Sequence, residues 1–469
     1  MTYDLLVRGG RVVLEDGVRH ADVAVRGERV AALYPPRAAP PAACVVDAAG
    51  MFVLPGLIDS HVHFRTPGLT HKEEWATGSR AAAAGGVTTV IDMPNTQPPL
   101  FTPQDAYDRH ELIKGSSLVD YRFHAGVDPE HVDAVAEFTP KEATSVKVFL
   151  TGHHTAPHVL SDPALLDRLF KLAAELQLRL LFHAEDDAVF RLLDQWQGPP
   201  AAPLDYERHR PRTGAIVAVA RLVELVHRHG TPAHVLHVST AEEADLLTAA
   251  AAAGLPVTFE VTGHHLTFTD DDTRALGPRI RLSPAIRGRK DQDRLWRAVA
   301  SGEAATVGSD HAPHEAGDKL LSAADAPPGL PGVQELLPAL FTGLRRRHPA
   351  DSDERLLAIV QRVLAREPAR LFGLSGRKGR IAPGLDADLV LFDASAPWFM
   401  EPQLVQSKCG WSAYEGRSFT GRVVATIRRG QVVYSDRTGA PVFGPADGMW
   451  LAPAEPAVGQ PTAQDPEGR

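Results

Sequence analysis

His61 and His63 stand two residues apart at the end of an apolar run. On a strand, side chains two apart point to the same face, so both imidazoles can bind one ion. His183 and His237 sit in two further apolar runs, and Asp310 closes a third. Imidazole and carboxylate donors suit zinc and related divalent metals. The His61-x-His63 pair alone is a weak signal. Joined to three more donors at the ends of apolar runs, it predicts a metal centre.

Lys147 lies inside a fourth run, Val146-Lys147-Val148-Phe149-Leu150. A buried ammonium is costly, so its pKa must fall or it must find a partner. Three outlets exist. One is a Schiff base, because desolvated lysines are good nucleophiles. Another is a plain buried ion pair. The third is reaction of the neutral amine with carbon dioxide. The resulting carbamate is anionic and offers two oxygens, enough to bridge two metals, and the four histidines nearby favour it. Two Zn²⁺, less the charges of carbamate, Asp310 carboxylate and a hydroxide, leave about +1, a site that welcomes an anionic substrate. Such metals lower the pKa of bound water toward ~7 and polarise a carbonyl. Asp310 is then placed to take the water's proton and hand it to a leaving nitrogen.

Not all of the 21 histidines belong to this set. His124, alone on its strand, reads as a satisfied interior residue. His153-His154 and His264-His265 read as loop residues.

The elements that must position these groups are legible as a pattern. Eight β-rich runs, at 57–63, 87–93, 121–127, 145–150, 179–183, 233–238, 257–261 and 305–309, alternate with amphipathic segments such as 162–175, 213–229 and 241–253. Most runs are continuously apolar, as expected of parallel strands covered on both faces. Ser161-Asp162-Pro163 reads as a helix start. Eight strands alternating with helices over roughly 250 residues or more predict an α/β fold, a (β/α)8 TIM barrel. A doubly wound sheet competes, but no glycine-rich phosphate loop follows the first strand. Barrel enzymes carry their sites at the carboxyl ends of the strands, where the residues above fall. Short strands at both ends of the chain predict a small β-sandwich domain built from both termini, residues 1–54 and 385–445, around a barrel at 55–384. The segment 446–469 lacks periodicity and is expected to be a disordered tail.

Composition sets the outer limits. The chain has 469 residues, 44% hydrophobic and 23% charged, which is ordinary for a folded protein. Its net charge of −9 argues against a nucleic-acid or anionic-membrane partner. No apolar run approaches the roughly 18 residues of a membrane span. Two cysteines, Cys44 and Cys409, exclude a disulfide scaffold and a cysteine-rich metal site, and fit a reducing compartment. No signal peptide is visible, so a cytoplasmic protein is expected.

The segment Pro55-Gly56-Leu57-Ile58-Asp59-Ser60-His61-Val62-His63-Phe64-Arg65, followed by Pro67-Gly68, resembles the amidohydrolase superfamily, and within its cyclic-amidohydrolase branch the dihydroorotases. Gly85-Gly86-Val87-Thr88-Thr89, Met93-Pro94-Asn95-Thr96, Glu260-Val261-Thr262-Gly263-His264-His265 and Ser309-Asp310-His311-Ala312-Pro313-His314 are similar to segments of that family. So are Pro328-Gly329-Leu330-Pro331-Gly332, Ser407-Lys408-Cys409-Gly410-Trp411 and Tyr414-Glu415-Gly416. The resemblance spans about residues 1–440 and is nearest the animal-type enzyme.

The resemblance implies that His61, His63, Lys147, His183, His237 and Asp310 hold two Zn²⁺, with carbon dioxide bound as the carbamate on Lys147. It makes Asp310 the catalytic acid and base. It gives Arg65, Asn95 and His314 to the substrate carboxylate and places Ser283 and Pro328 in the substrate site. A fixed cationic fork with neutral donors suits a carboxylate. The plain alternative for Arg65 is a surface ion pair. The implied reaction interconverts N-carbamoyl-L-aspartate and dihydroorotate, a small anionic cyclic amide. A homo-oligomer is expected, free or docked to other pyrimidine enzymes.

The same resemblance marks departures. In allantoinases and hydantoinases the positions of Arg65 and His314 usually hold other residues. Ser283, however, is hydantoinase-like, where many dihydroorotases have Asn and the animal type Arg. Lys147 fits the hydantoinase, allantoinase and animal-type patterns alike. Leu236 replaces the cysteine that accompanies an extra zinc in the animal type, so Glu260 reads as a structural or supporting residue. The 151–155 loop does not match the family's substrate-covering loop. The rivals are therefore an allantoinase or hydantoinase-like enzyme and, less favoured because all six ligands are kept, an inert scaffold.

Overall fold

The computed structural model describes residues 2–152, 155–437 and 439–453. The chain opens with β1 (Tyr3–Leu14), β2 (Gly17–Arg26), β3 (Arg29–Tyr34), β4 (Ala42–Asp47) and β5 (Phe52–Pro55). The barrel strands follow: β6 (Leu57–Val62), β7 (Val87–Asp92), β8 (Asp120–Phe123), β9 (Ala125–Gly126), β10 (Val146–Phe149), β11 (Leu180–His183), β12 (Ala233–Val235), β13 (Val257–Thr262) and β14 (Thr306–Gly308). Four strands come last: β15 (Leu389–Phe399), β16 (Ser418–Arg428), β17 (Gln431–Ser435) and β18 (Val442–Phe443).

Strands β6-β7-β8 and β9-β10-β11-β12-β13-β14 form two parallel stretches. His124 N donates to Asp92 O at 3.0 Å, so β8 and β9 act as one strand that turns its pairing from β7 to β10. A parallel bridge between Val62 and His311 closes β14 onto β6. The result is a (β/α)8 barrel. Every residue of β6, β7, β8, β10 and β11 is buried, so these strands show no alternation of buried and exposed positions, and their polar residues lie inside the protein.

The crossover helices start where the sequence offers caps. Asp162 accepts from the backbone N–H groups of Ala164 and Leu165 ahead of the helix Pro163–Glu175. Thr102 with Asp105, and Thr240 with Glu243, form capping boxes for Pro103–Ile113 and Ala241–Ala252. Each cap contributes roughly 1 kcal/mol and fixes where the strand-to-helix turn ends.

β1 pairs antiparallel with β2 and parallel with both β4 and β5, with its register shifting between Val7 and Gly10. β5 also pairs antiparallel with β15, so both ends of the chain join one mixed sheet of nine strands. Leu5, Val7, Val12, Val23, Leu389 and Ile427 pack between its layers as the core of the β-sandwich.

Two stretches differ from the sequence expectation. Residues 446–453, expected to be structureless, run beside β8: Tyr121 N donates to Met449 O at 2.9 Å, Leu451 N to Tyr121 O at 3.0 Å, and Leu451 is fully buried. The unpaired outer edge of β8, and the rings of Tyr107, His110 and Phe123 packed on Trp450, hold this segment down. The rest of the expected tail, 454–469, lies outside the described residues. The connection between β15 and β16 does not stay with the sandwich either. It crosses to the barrel rim, where Trp411 Nε1 donates to His314 O at 2.8 Å and Ser412 Oγ to Glu335 Oε1 at 2.6 Å.

Candidate metal centre

The carboxyl end of β6 delivers His61 and, one residue beyond the strand, His63. Asp59 prepares the turn: its Oδ1 accepts from His61 N and from Ser309 N, both at 3.2 Å, tying the ends of the first and last barrel strands together. Below them Phe64 meets Trp75 edge-on at 5.1 Å, and a Cβ on Gly78 would lie 2.8 Å from the Phe64 ring. Close packing of this kind fixes the direction in which His63 and Arg65 leave the strand.

Asp310, from the end of β14, brings Oδ1 to 3.2 Å from His61 Nε2 and 3.3 Å from His63 Nε2. Donor atoms of the three residues lie within 4.8 Å of one another, close enough to hold a metal ion. The His61 and His237 rings are 5.5 Å apart and the His237 and His183 rings 4.6 Å apart. These groups, with Lys147, line one cavity of about 30 Å³. Lys147 is 1% exposed, and among the described residues its Nζ makes no ion pair or hydrogen bond. It lies 4.5 Å above the Phe149 ring.

Second contacts orient the ligand candidates. Glu260 Oε1 accepts from His61 Nδ1 at 2.7 Å and from His237 N at 3.3 Å. That leaves His61 Nε2 to face the cavity, the usual role of a carboxylate behind a ligating imidazole. Glu185 Oε2 takes His183 Nε2 at 2.8 Å. His237 Nδ1 is buried with no hydrogen-bond partner among the described residues. An orphaned imidazole nitrogen beside two more imidazoles, a carboxylate and an unpaired lysine fits a metal pair. Protein hydrogen bonding alone leaves His237 Nδ1 unsatisfied.

The electrostatics agree with neutral imidazoles at His63 and His237 and with an ionised acid. Burial pushes His63 down to about 3 and His237 well below the usual histidine range. Burial also pulls His61 down, but the carboxylates of Glu260 and Asp310 more than reverse it. Burial opposes ionisation of Asp310, yet His61, His63 and His237 hold it well below the usual carboxylate range. Burial lowers Lys147 to about 7. Three of the six described non-glycine residues at positive φ are Arg65 (58°), His237 (38°) and Asp310 (46°). Such backbone costs about 1–3 kcal/mol each and persists only where packing over-determines it, commonly at functional sites.

Of the eleven residues singled out from the sequence, nine line the cavity: His61, His63, Arg65, Lys147, His183, His237, Ser283, Asp310 and Pro328. Arg65 is 2% exposed, with Nε and Nη1 buried and unpartnered, and no carboxylate pairs with it among the described residues. It is not a surface ion pair. Burial lowers its pKa to about 10. Asn95 and His314 do not line the cavity. Asn95 Oδ1 faces His63 Nδ1 at 2.8 Å, and its Nδ2 donates to Thr155 O at 3.2 Å. His314 is closed off on both ring nitrogens, by Lys72 Nζ at 3.0 Å and Pro328 O at 2.9 Å.

His124 bonds Ser145 Oγ at 2.6 Å and Ser60 O at 3.0 Å inside the barrel. His264 and His265 are buried in the short helix Gly263–Thr267 rather than in a loop, because Thr262 Oγ1 caps it by accepting from His265 N. His153 and His154 lie outside the described residues. Sequence reasoning missed Glu185, Arg210 and Lys319. Glu185 follows His183 by two and so shares its face, a signal that was available. Lys319 donates to Pro327 O at 2.7 Å and Gly329 O at 3.1 Å, contacts that no local pattern announces.

Comparison with known proteins points the same way. Residues 52–433 match the profile of the amidohydrolase family. An allantoinase of Rubrobacter xylanophilus is 36% identical over 459 residues, covering 96% of this chain and 98% of that protein. A dihydroorotase of Halobacterium salinarum is 38% identical over 427 residues, covering 91% and 96%. The solved structure of an L-hydantoinase (dihydropyrimidinase) from Arthrobacter aurescens aligns with a TM-score of 0.90 at 27% identity, covering 96% of this chain and 100% of that one.

Proposed function

The chain belongs to the amidohydrolase family, and on that premise we propose that it is a dihydroorotase with a binuclear zinc centre. Hydrolysis of a cyclic amide is common to the names of its relatives. The observation that carries the finer reading is Arg65. A buried guanidinium with two unspent donors on the cavity wall is costly until an anion arrives. A ring carboxylate supplies that anion through a charge-assisted hydrogen bond.

His61, His63, Lys147, His183, His237 and Asp310 would hold the two metals, Lys147 as its carbamate. That carbamate forms when the neutral amine adds to carbon dioxide, making an N–C bond and releasing a proton to solvent. Bound there, the metals lower the pKa of a water toward ~7 and polarise the ring carbonyl. Asp310 takes the proton of the attacking water on a carboxylate oxygen. It returns that proton to the ring nitrogen as the C–N bond breaks. Arg65 holds the ring carboxylate, and Ser283 and Pro328 wall the ring. Asn95 and Glu260 keep His63 and His61 aimed through their Nδ1 atoms. A homo-oligomer is part of this reading.

Ser283 and the allantoinase relatives favour a second reading, an allantoinase. Comparing kcat/KM for dihydroorotate and allantoin with the zinc- and bicarbonate-loaded protein decides between them. A preference for dihydroorotate of tenfold or more supports the first reading, and the reverse preference replaces it with the second.

A further inference from the structure

Beside the metal cavity lies a larger cleft of about 400 Å³, against about 30 Å³ for the cavity itself. The two share Leu282, Ser283 and Pro328 as lining residues. Nothing in the reaction described above uses the far end of this cleft. Tyr206 lines it, is 6% exposed, and its Oη is buried with no hydrogen-bond partner among the described residues. The Tyr206 ring is locked in place: the Arg281 guanidinium sits 4.7 Å from its centroid and is itself fixed by the carbonyl oxygens of Ala323, Ala324 and Ala326. Arg210 lines the same cleft; its Nη1 is buried without a hydrogen bond and lies 3.6 Å from Glu185 Oε2, its ion-pair partner. Its other nitrogen, Nη2, is held by Gly152 O at 3.0 Å. Buried polar atoms are rarely left without a hydrogen bond in native proteins, and two such atoms on residues lining one cleft point to a ligand.

The chemistry of that ligand follows from the lining. Arginines and aspartates balance in this cleft, so it favours a neutral polar group over an anion. A phenol hydroxyl can accept an N–H, and a guanidinium N–H can donate to a carbonyl. A urea offers both. Hydrolysis of a cyclic ureide creates such a group. The ring C–N bond breaks, the water oxygen stays on the acyl carbon as a carboxylate, and the nitrogen leaves as the end of a free ureido arm. The opened acid is longer than the ring and needs room that the metal cavity lacks.

We propose that the cleft is the berth of the ureido arm of the ring-opened acid, with Tyr206 Oη and Arg210 Nη1 as its partners. The inference rests on the cyclic-amide reading above but not on which ring is the substrate. Tyr206 is then a product-side binding residue, and its hydroxyl acts after the ring has opened.

The test is Tyr206→Phe in the metal-loaded enzyme, a change that removes only an unpartnered hydroxyl and leaves the thermal midpoint unchanged. The inhibition constant of N-carbamoyl-L-aspartate against ring opening should rise roughly three- to tenfold, the worth of one neutral hydrogen bond. The kcat/KM for ring opening should fall by less than the inhibition constant rises. An unchanged inhibition constant overturns the proposal. An equal loss in kcat/KM overturns it too, since the hydroxyl would then serve the transition state. Calorimetric titration of both proteins with N-carbamoyl-L-aspartate, allantoate and succinate separates this inference from the assignment of the reaction. Weaker binding of the two ureido acids alone, in an enzyme that opens neither dihydroorotate nor allantoin, upholds the berth and removes the proposed function. Equal weakening for succinate, which has no ureido group, overturns the berth.

Discussion

Replacing Arg65 with alanine separates substrate recognition from the rest of the machinery. The guanidinium is buried, lines the metal cavity and keeps Nε and Nη1 unspent among the described residues. A hydrogen bond to a charged group is worth about 1.5–3 kcal/mol. Nε–H and Nη1–H point to different sides of the guanidinium, so a carboxylate takes one of them, about 1.5–3 kcal/mol, or roughly 10- to 10²-fold in kcat/KM at ~1.4 kcal/mol per decade. Alanine keeps a Cβ at the same φ of 58°, so the comparison reports the side chain and not the backbone. Arg65 is not among the proposed ligands, so the bound metal should be unchanged. Removing an unpaired buried cation should leave the thermal midpoint equal or higher. The assay follows ring opening of dihydroorotate and, as control, of a hydantoin without a ring carboxylate. The loss should fall on dihydroorotate and spare the control. Equal rates for wild type and variant, or equal losses on both rings, would refute the assignment of Arg65 to a carboxylate.

Three more outcomes are expected. Lys147→Ala should purify with little metal and lose activity by about 10³-fold or more, with partial rescue by small carboxylic acids that replace the carbamate oxygens; full activity would remove the carbamate. Glu260→Gln should weaken metal binding about 10- to 100-fold in a chelator competition, because it loosens the grip on His61 Nδ1. Asp92 is fully buried, and burial raises its pKa to about 6 from 3.8 despite its contact with Arg109 at 3.0 Å. A raised acid is protonated in the folded state before it is in the unfolded one, so the stability it contributes is present at low pH and lost as pH rises from about 4 through 6. Denaturant titrations of wild type and Asp92→Asn should therefore shift in the variant's favour across that window by up to about 3 kcal/mol. A difference that does not vary with pH would refute the shift.

The barrel was legible because most of its strands are buried on both faces and read as largely apolar runs, with helix caps such as Asp162 and Thr240 between them. The ligand candidates were legible because a period of two puts His61 and His63 on one face, and because Lys147 is out of place among apolar neighbours. The contacts of Asn95 and His314 were not legible. His314 is closed by Lys72, 242 residues away in sequence, and by Pro328, and no local pattern encodes such a pairing. The crossing of Trp411 and Ser412 to the barrel rim was hidden for the same reason: their partners His314 and Glu335 belong to another layer. Residues 446–453 have the composition of a tail, but the open edge of β8 offers backbone partners that composition cannot reveal. His264 and His265 looked like loop residues because their helix is a single short turn set by one cap, Thr262.

The central claim is that this cavity is a metal centre that opens a carboxylate-bearing cyclic amide. The most direct measurement is the rate of dihydroorotate ring opening by protein purified with zinc and bicarbonate, alongside its metal content. The expected result is two metals per chain and a kcat on the order of 1 s⁻¹ or faster, abolished by chelation and restored by zinc. Two bound metals with no detectable turnover of dihydroorotate, while allantoin or a hydantoin is opened, would contradict it.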